Sequence, residues 1–377
     1  MANVFNMLGR SPQRSHRAAT NLELFFDLVF VVAIAQAAAQ LHHGFVEQHF
    51  AHATQSYLLV FFSIWWAWMC FSWFASAFDN DDTIYRLLTF SQMVGVLLLA
   101  AGIPDAFHQH DWTLGILGFV VMRISLVLLW LRVCFSAQPQ DPLRSMAIKQ
   151  VIGITLCQIG WVLLLLLHAP LPFFVLMMLC EVLVPVWAKQ KMSPWHAGHI
   201  AERYGLLTLI VLGESVLSLS LAVAALDDRP VLFSHLSLMI GSGLVILFSM
   251  WWLYFFKPAH ELLERSDRQV FAWGYGHYLI FAAAAAVGAA LAAEVDVLTR
   301  NTGMGSVQQG LMLGVPLTLF LFGHWYCHER CRLQHGAQHA VYLASLGLIL
   351  AVCWLPSSSV WIAAILVGLV IWRERVG

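Results

Sequence analysis

Apolar residues run along this chain in long blocks separated by short polar stretches. An α-helix needs about 20 mainly apolar residues to cross roughly 30 Å of hydrocarbon. Twelve blocks meet that length or approach it: 22–40, 55–77, 84–103, 112–133, 147–167, 171–188, 202–225, 232–256, 270–293, 307–326, 338–355 and 358–372. The sixth and the last are short, and only Leu355 to Ser357 part the last two. The pattern predicts an all-α polytopic membrane protein with about twelve transmembrane helices.

Composition agrees. Charged residues make up 11% of the 377 residues and hydrophobic ones 60%, whereas soluble domains carry about 25% charged residues. Too little polar surface exists to cover a globule of this size in water, so the expected partner is the lipid bilayer. The near-zero net charge, with no basic arm and no Gly-rich phosphate loop, gives no sign of nucleic-acid binding or of a cofactor.

Charge placement sets the orientation. With the N-terminus in the cytoplasm, all of the 20 Lys and Arg residues fall on inner segments except Arg229 and Arg300, in outer loops, and Arg123, in mid-span. Cytoplasmic loops carry such an excess, and a wrong helix count would scramble it. Both termini are therefore expected on the cytoplasmic side. Arg10, Arg14 and Arg17 before an apolar run ending in AQAAAQ resemble a signal peptide. The acids within that run argue for a first spanning helix instead. Cys70, Cys134, Cys157, Cys180, Cys327, Cys331 and Cys353 all fall in spans or on the inner side, so no disulfide framework is expected.

An internal repeat divides the chain into a tail at 1–20 and two six-helix halves, 21–190 and 191–377. FSIWWAW in the second span matches FSMWWLY in the eighth. ERYGLLTLIVLGES in the seventh resembles ELFFDLVFVVAIAQ in the first, setting Glu23 against Glu202 and Gln36 against Glu214 or Ser215. Six spans per half give a parallel repeat, with substrate sites expected near the midplane where such halves meet.

The candidate functional residues are ionisable groups that lipid penalises: Glu23, Asp27, Arg123, Glu181, Glu214 and His277, with Asp79 and Glu202 nearer the inner boundary. Glu23 and Asp27, four residues apart, share one helical face. Thr20-Asn21-Leu22-Glu23 also reads as a capping box, whereas Asp27 lies too deep to cap. Arg123 needs a counter-charge, with Glu181 the simplest partner and Glu214 and Asp27 the others. Asp27 would otherwise pair with Arg123 or a hydroxyl, or with the helix carrying Glu202 and Glu214. His277 reads as a packing residue before a proton carrier.

Two histidine-rich stretches read as incidental. HWYCHERCRLQHGAQH, holding His324, Cys327, His328, Cys331, His335 and His339, is expected at a cytosolic helix end. LHHGFVEQHFAH, with His42, His43, Glu47, His49 and His52, is expected as a solvated outer loop. No metal site is assigned to either. FAAAAAVGAALAA offers small residues for close helix approach, and Trp65–Trp66 and Trp251–Trp252 are expected as interfacial anchors or internal packing.

ELFFDLVFV with the following AIAQ, the double-Trp span and AERYGLLTLIVLGES together resemble the bacterial low temperature requirement A (LtrA) family, over about Arg17 to Trp372. The resemblance implies a polytopic inner-membrane protein with a role in growth in the cold. It carries over Glu23, Asp27, Glu202, Arg203, Gly213 and Glu214, and names no substrate. The expected function is a secondary transporter or an ion or proton channel in which intramembrane carboxylates titrate or hold a small cation. Arg123 there holds a counter-charge or contacts an anionic substrate. A membrane-embedded lipid- or isoprenoid-modifying enzyme and a membrane sensor or scaffold are the alternatives, and homo-oligomerisation stays open.

Overall fold

A computed structural model describes residues 7, 18–78, 80–189, 195–224, 235–264, 267–300 and 303–376. Arg10, Arg14, Arg17, Asp79, Lys191, Arg229 and Arg265 lie outside them. Among the described residues the ordered elements are all helical: α1 (Asn21–Val46), α2 (Phe50–Phe78), α3 (Thr83–His108), α4 (Thr113–Ser136), α5 (Pro142–Leu166), α6 (Leu171–Ala188), α7 (Ala197–Ala224), α8 (His235–Phe255), the short α9 (His260–Leu263), α10 (Asp267–Arg300), α11 (Ser306–His324), α12 (Gly336–Val352) and α13 (Ser358–Val376). A π-helical turn, Trp325–Glu329, continues α11. Among the described residues each apolar block falls on one long helix, and ten helices are long and apolar enough to cross a membrane.

Several helices outrun their apolar blocks, because polar residues at a membrane boundary continue a helix without adding hydropathy. Thus α10 runs on through Glu294 and Asp296 to Arg300. Starts are set by local chemistry. The Asp82 side chain accepts from the Tyr85 N–H to cap α3, and Asp141 accepts from the Leu143 N–H, with Pro142 in the first turn of α5.

The chain divides into two compact units. The first comprises 1–36 and 59–203, the second 37–58 and 204–377, so α1, α2 and α7 each contribute residues to both. In the first unit α3, α4, α5 and α6 pack in sequence, each against the next. Gly95 and Gly118 bring α3 and α4 together: a Cβ on Gly95 would lie 2.6 Å from the Gly118 carbonyl oxygen. In the second, α10 packs on α11, α11 on α12, α12 on α13 and α13 on α8. The alanine-rich stretch of α10 is buried, as its small residues predict. The two Trp pairs differ. Trp65 and Trp66 are core residues, whereas Trp251 and Trp252 are exposed on α8.

Candidate functional site

Glu23 begins as the capping box its spacing predicts. The Thr20 N–H donates to Glu23 Oε2 at 2.8 Å, and the Glu23 N–H returns to Thr20 Oγ1 at 3.3 Å. It does more than cap. The residue is fully buried, and its Oε1 lies 3.1 Å from both Arg203 Nη1 and His199 Nε2. One turn on, Asp27 takes Arg203 in a fork, from Nη2 at 2.6 Å and Nε at 3.0 Å, and accepts the Trp68 indole N–H at 2.6 Å. His199 and Arg203 are themselves four residues apart, so one i, i+4 pair on α7 meets another on α1. Trp68 also lies beneath the guanidinium, 6.0 Å from ring centroid to Cζ. Asp27 therefore finds its cation in Arg203, not in Arg123 or a hydroxyl.

Arg123 has the simplest of its expected partners. Its Nη2 lies 2.7 Å from Glu181 Oε2, with both side chains buried. Glu181 also accepts the Trp66 indole N–H at 2.9 Å and the Gln158 amide at 2.8 Å. Three donors from α2, α4 and α5 thus converge on one α6 carboxylate.

The second unit carries its own polar chain. His277 is fully buried and places Nδ1 2.7 Å from the Trp273 carbonyl oxygen. A carbonyl only accepts, so Nδ1 carries the proton and Nε2 offers its lone pair to the Tyr254 hydroxyl at 3.0 Å. His328 Nε2 approaches the same atom at 3.3 Å, and His324 bonds Tyr342 at 2.8 Å. His324, Cys327 and His328 are therefore packed core residues and not incidental ones; Cys331 and His335 are exposed. Cys327 and His328 lie in the π-helical turn itself, and His324 immediately precedes it. Beside it, Arg373 Nε donates to Glu329 Oε2 at 2.5 Å. Among the described residues, no three of His, Cys, Asp and Glu are placed to hold a metal ion, and all seven cysteines are free.

The model of the bacterial low temperature requirement A protein family matches residues 18–372, nearly the whole chain. The chain belongs to the LtrA family. It is also similar to an uncharacterized protein of Rhizobium meliloti (strain 1021), 27% identical over 263 residues, which are 65% of this chain and 60% of that protein. The chain thus matches about 60% of the length of its curated relative. Together with the ten long apolar helices, the family identifies a multi-pass membrane protein.

The other predicted residues of this LtrA protein stand apart from those clusters. Glu202 is exposed on α7, while its neighbour Arg203 is the one turned inward. Glu214, farther along α7 in the second unit, is half-buried and accepts from Ser218 at 3.4 Å. Sequence reasoning missed His199 and Glu329 as buried members and counted Arg373 only as an inner basic residue; Arg203 entered only through the family motif, with no partner assigned. The i, i+4 spacing of His199 and Arg203, matching that of Glu23 and Asp27, was the signal available for the first cluster. His42 is likewise no solvated loop residue. It lies on α1, which extends to Val46, and its Nε2 is 3.0 Å from Asp296 Oδ2.

Outside the spans, the loop before α3 holds a polar clasp. Burial works to raise the Asp82 carboxyl, but the Arg132 guanidinium, at 2.6 and 3.1 Å, and the Tyr85 N–H hold it below the usual carboxylate range.

Proposed function

We propose that this LtrA protein is a proton-coupled secondary transporter or proton channel whose titrating centre is the Glu23–His199 contact. One observation carries the reading: two buried carboxylates, Glu23 and Asp27, face one guanidinium, Arg203, with His199 as the fourth member. Both carboxylates reach Arg203, and Glu23 also reaches the His199 imidazole at 3.1 Å, with which it can share a proton. Gain or loss of that proton changes the buried charge of the cluster, and such a change costs several kcal/mol in so dry a place (about 3–5 when a buried pair loses a partner). Such a centre has two charge states, and differential stabilisation of two helix arrangements by those states is what coupling requires.

The same reading takes α12 and α13 as spans eleven and twelve, both termini as cytoplasmic and the inner membrane as the location, supported by the placement of Lys and Arg. A parallel repeat has support in matched bonds. Trp66 donates to Glu181 of α6, and Trp252, at the same place in its motif, donates to Glu374 of α13 at 2.8 Å. A role in growth at low temperature follows from the family.

The test is purified protein in liposomes under an imposed pH gradient, with internal pH and cation content followed. Wild type is expected to move protons, while Glu23→Gln and His199→Gln lose that flux and still elute as folded protein. Wild-type liposomes no leakier than empty ones across a panel of cations, or folded variants with unchanged flux, would sink the proposal.

A further inference from the structure

Buried acids in this protein come with a cation or an imidazole. Among the described residues, Glu23 and Asp27 meet Arg203, Glu181 meets Arg123, Glu329 meets Arg373 and Asp296 meets His42. Glu294 is the exception. It lies towards the C-terminal end of α10, is 6% exposed, and makes no ion pair among the described residues.

The surroundings supply no counter-charge. Ala290 to Ala293, the turn before it, are apolar and buried. Asp296, two residues on, leaves the helix in another direction and is held by His42 Nε2 at 3.0 Å. The packed neighbours α8 and α11 contain no Asp, Glu, Lys or Arg. On α7, Ser215 touches α10 at Gly288, where a Cβ would lie 2.7 Å from Ser215 Cα, and the adjacent Glu214 accepts from Ser218. What faces Glu294 is the Ser359 hydroxyl, in the first turn of α13. The charges of that helix begin at Arg373, 14 residues and roughly 21 Å further on.

An ionised carboxylate without a cation in such surroundings costs several kcal/mol. A proton removes the charge where no side chain balances it. Ser359 suits both forms of the group, because a hydroxyl accepts from a carboxylic acid and donates to a carboxylate. Ser359 Oγ and Glu294 Oε2 are buried with no other hydrogen-bond partner among the described residues, so nothing competes for either. The small exposed edge of Glu294 lets a proton come and go.

We propose that Glu294 is a reversible proton-binding site, with the Ser359 hydroxyl as its partner in both charge states. It adds a second proton-binding group to the function proposed above without resting on the first. Glu294 belongs to the second unit and Glu23 to the first.

The experiment is infrared difference spectroscopy of the full chain in liposomes, between about pH 5 and about pH 9, on wild type, Glu294→Gln and Ser359→Ala. Wild type is expected to lose a protonated-carboxyl carbonyl band as pH rises. Glu294→Gln keeps the shape and removes the titrating group, so that band should be missing. Ser359→Ala should keep the band and shift its frequency, which identifies it even where the glutamine variant does not fold. Superimposable difference spectra for wild type and folded Glu294→Gln would overturn the proposal, since the carboxyl would then keep one charge state throughout. A band that Ser359→Ala leaves unmoved would overturn the role of the hydroxyl. Liposomes without proton flux would sink the Glu23–His199 reading and leave this spectrum as it is.

Discussion

Arg203 grips Asp27 with two nitrogens, Nη2 at 2.6 Å and Nε at 3.0 Å, across 176 residues of sequence. The fork occupies both carboxylate oxygens, and Trp68 adds a third donor to Oδ1. A bidentate pair of this kind depends on the planar guanidinium.

Removing either partner alone should therefore be costly. Arg203→Ala takes the guanidinium away from two buried carboxylates, and about 3–5 kcal/mol is the expected loss. Arg203→Lys keeps the charge but not the fork and should recover only part. Asp27→Asn combined with Arg203→Gln should be milder than the sum of the single changes. Thermal unfolding in detergent measures the cycle, and strict additivity would show that the two side chains do not act as a pair.

Arg123→Gln should behave similarly in the second buried pair, since it strands Glu181, and Glu181→Gln should cost at least as much, since it leaves a guanidinium that stays charged without its carboxylate. In thermal shift the double variant Arg123→Gln/Glu181→Gln should lose less than the sum of the two single changes. Strict additivity would mean that charge compensation is not what the pair supplies.

Asp82 gives a pH signature outside the membrane. Its carboxyl is held low in the folded protein, so its stabilising effect is complete above the unfolded value of about 3.9 and fades as pH falls through the lowered folded value. The melting temperature of wild type minus that of Asp82→Asn should stay positive and flat from pH 7 to about pH 5, then shrink towards pH 3. A gap that widened on acidification would contradict the assignment. Partial exposure of the pair keeps the effect modest.

Close approach of α3 and α4 makes a packing prediction. Gly95→Ala puts a methyl 2.6 Å from the Gly118 carbonyl oxygen and from Met122 Cγ, and about 1–3 kcal/mol of overpacking cost is expected. Gly213→Ala meets nothing within 4 Å and should be neutral or gain a few tenths of a kcal/mol, as alanine does in a helix interior. Chemical denaturation or thermal shift of both variants compares them; equal behaviour would refute the contact.

In the second unit, Tyr254→Phe removes the hydroxyl that the His277 lone pair accepts. The expected loss is about 1–2 kcal/mol, unless His328, at 3.3 Å, turns to donate in its place. Pairing Tyr254→Phe with His328→Gln separates the two donors.

Hydropathy by itself determined that this chain lives in lipid, where its helices lie and that Arg123 must find a carboxylate, because a bilayer tolerates few charges and those few identify one another. It also made Thr20 to Glu23 legible as a cap, since every contact there is local. It could not determine which way a helix faces. Glu202 and Arg203 differ by about 100° around the axis of α7, and an apolar run reads the same at any rotation. Only packing turned Arg203 and His199 towards Glu23 and Asp27 and left Glu202 exposed. The buried histidines near Trp325 were hidden for the same reason: His324 and His328 are buried through the packing of α11 and its π-helical turn against α10, which no sum of residue hydropathies records. The contact of Glu23 with His199, at 3.1 Å, exists only once α1 and α7 are side by side, so the tertiary structure alone decided it.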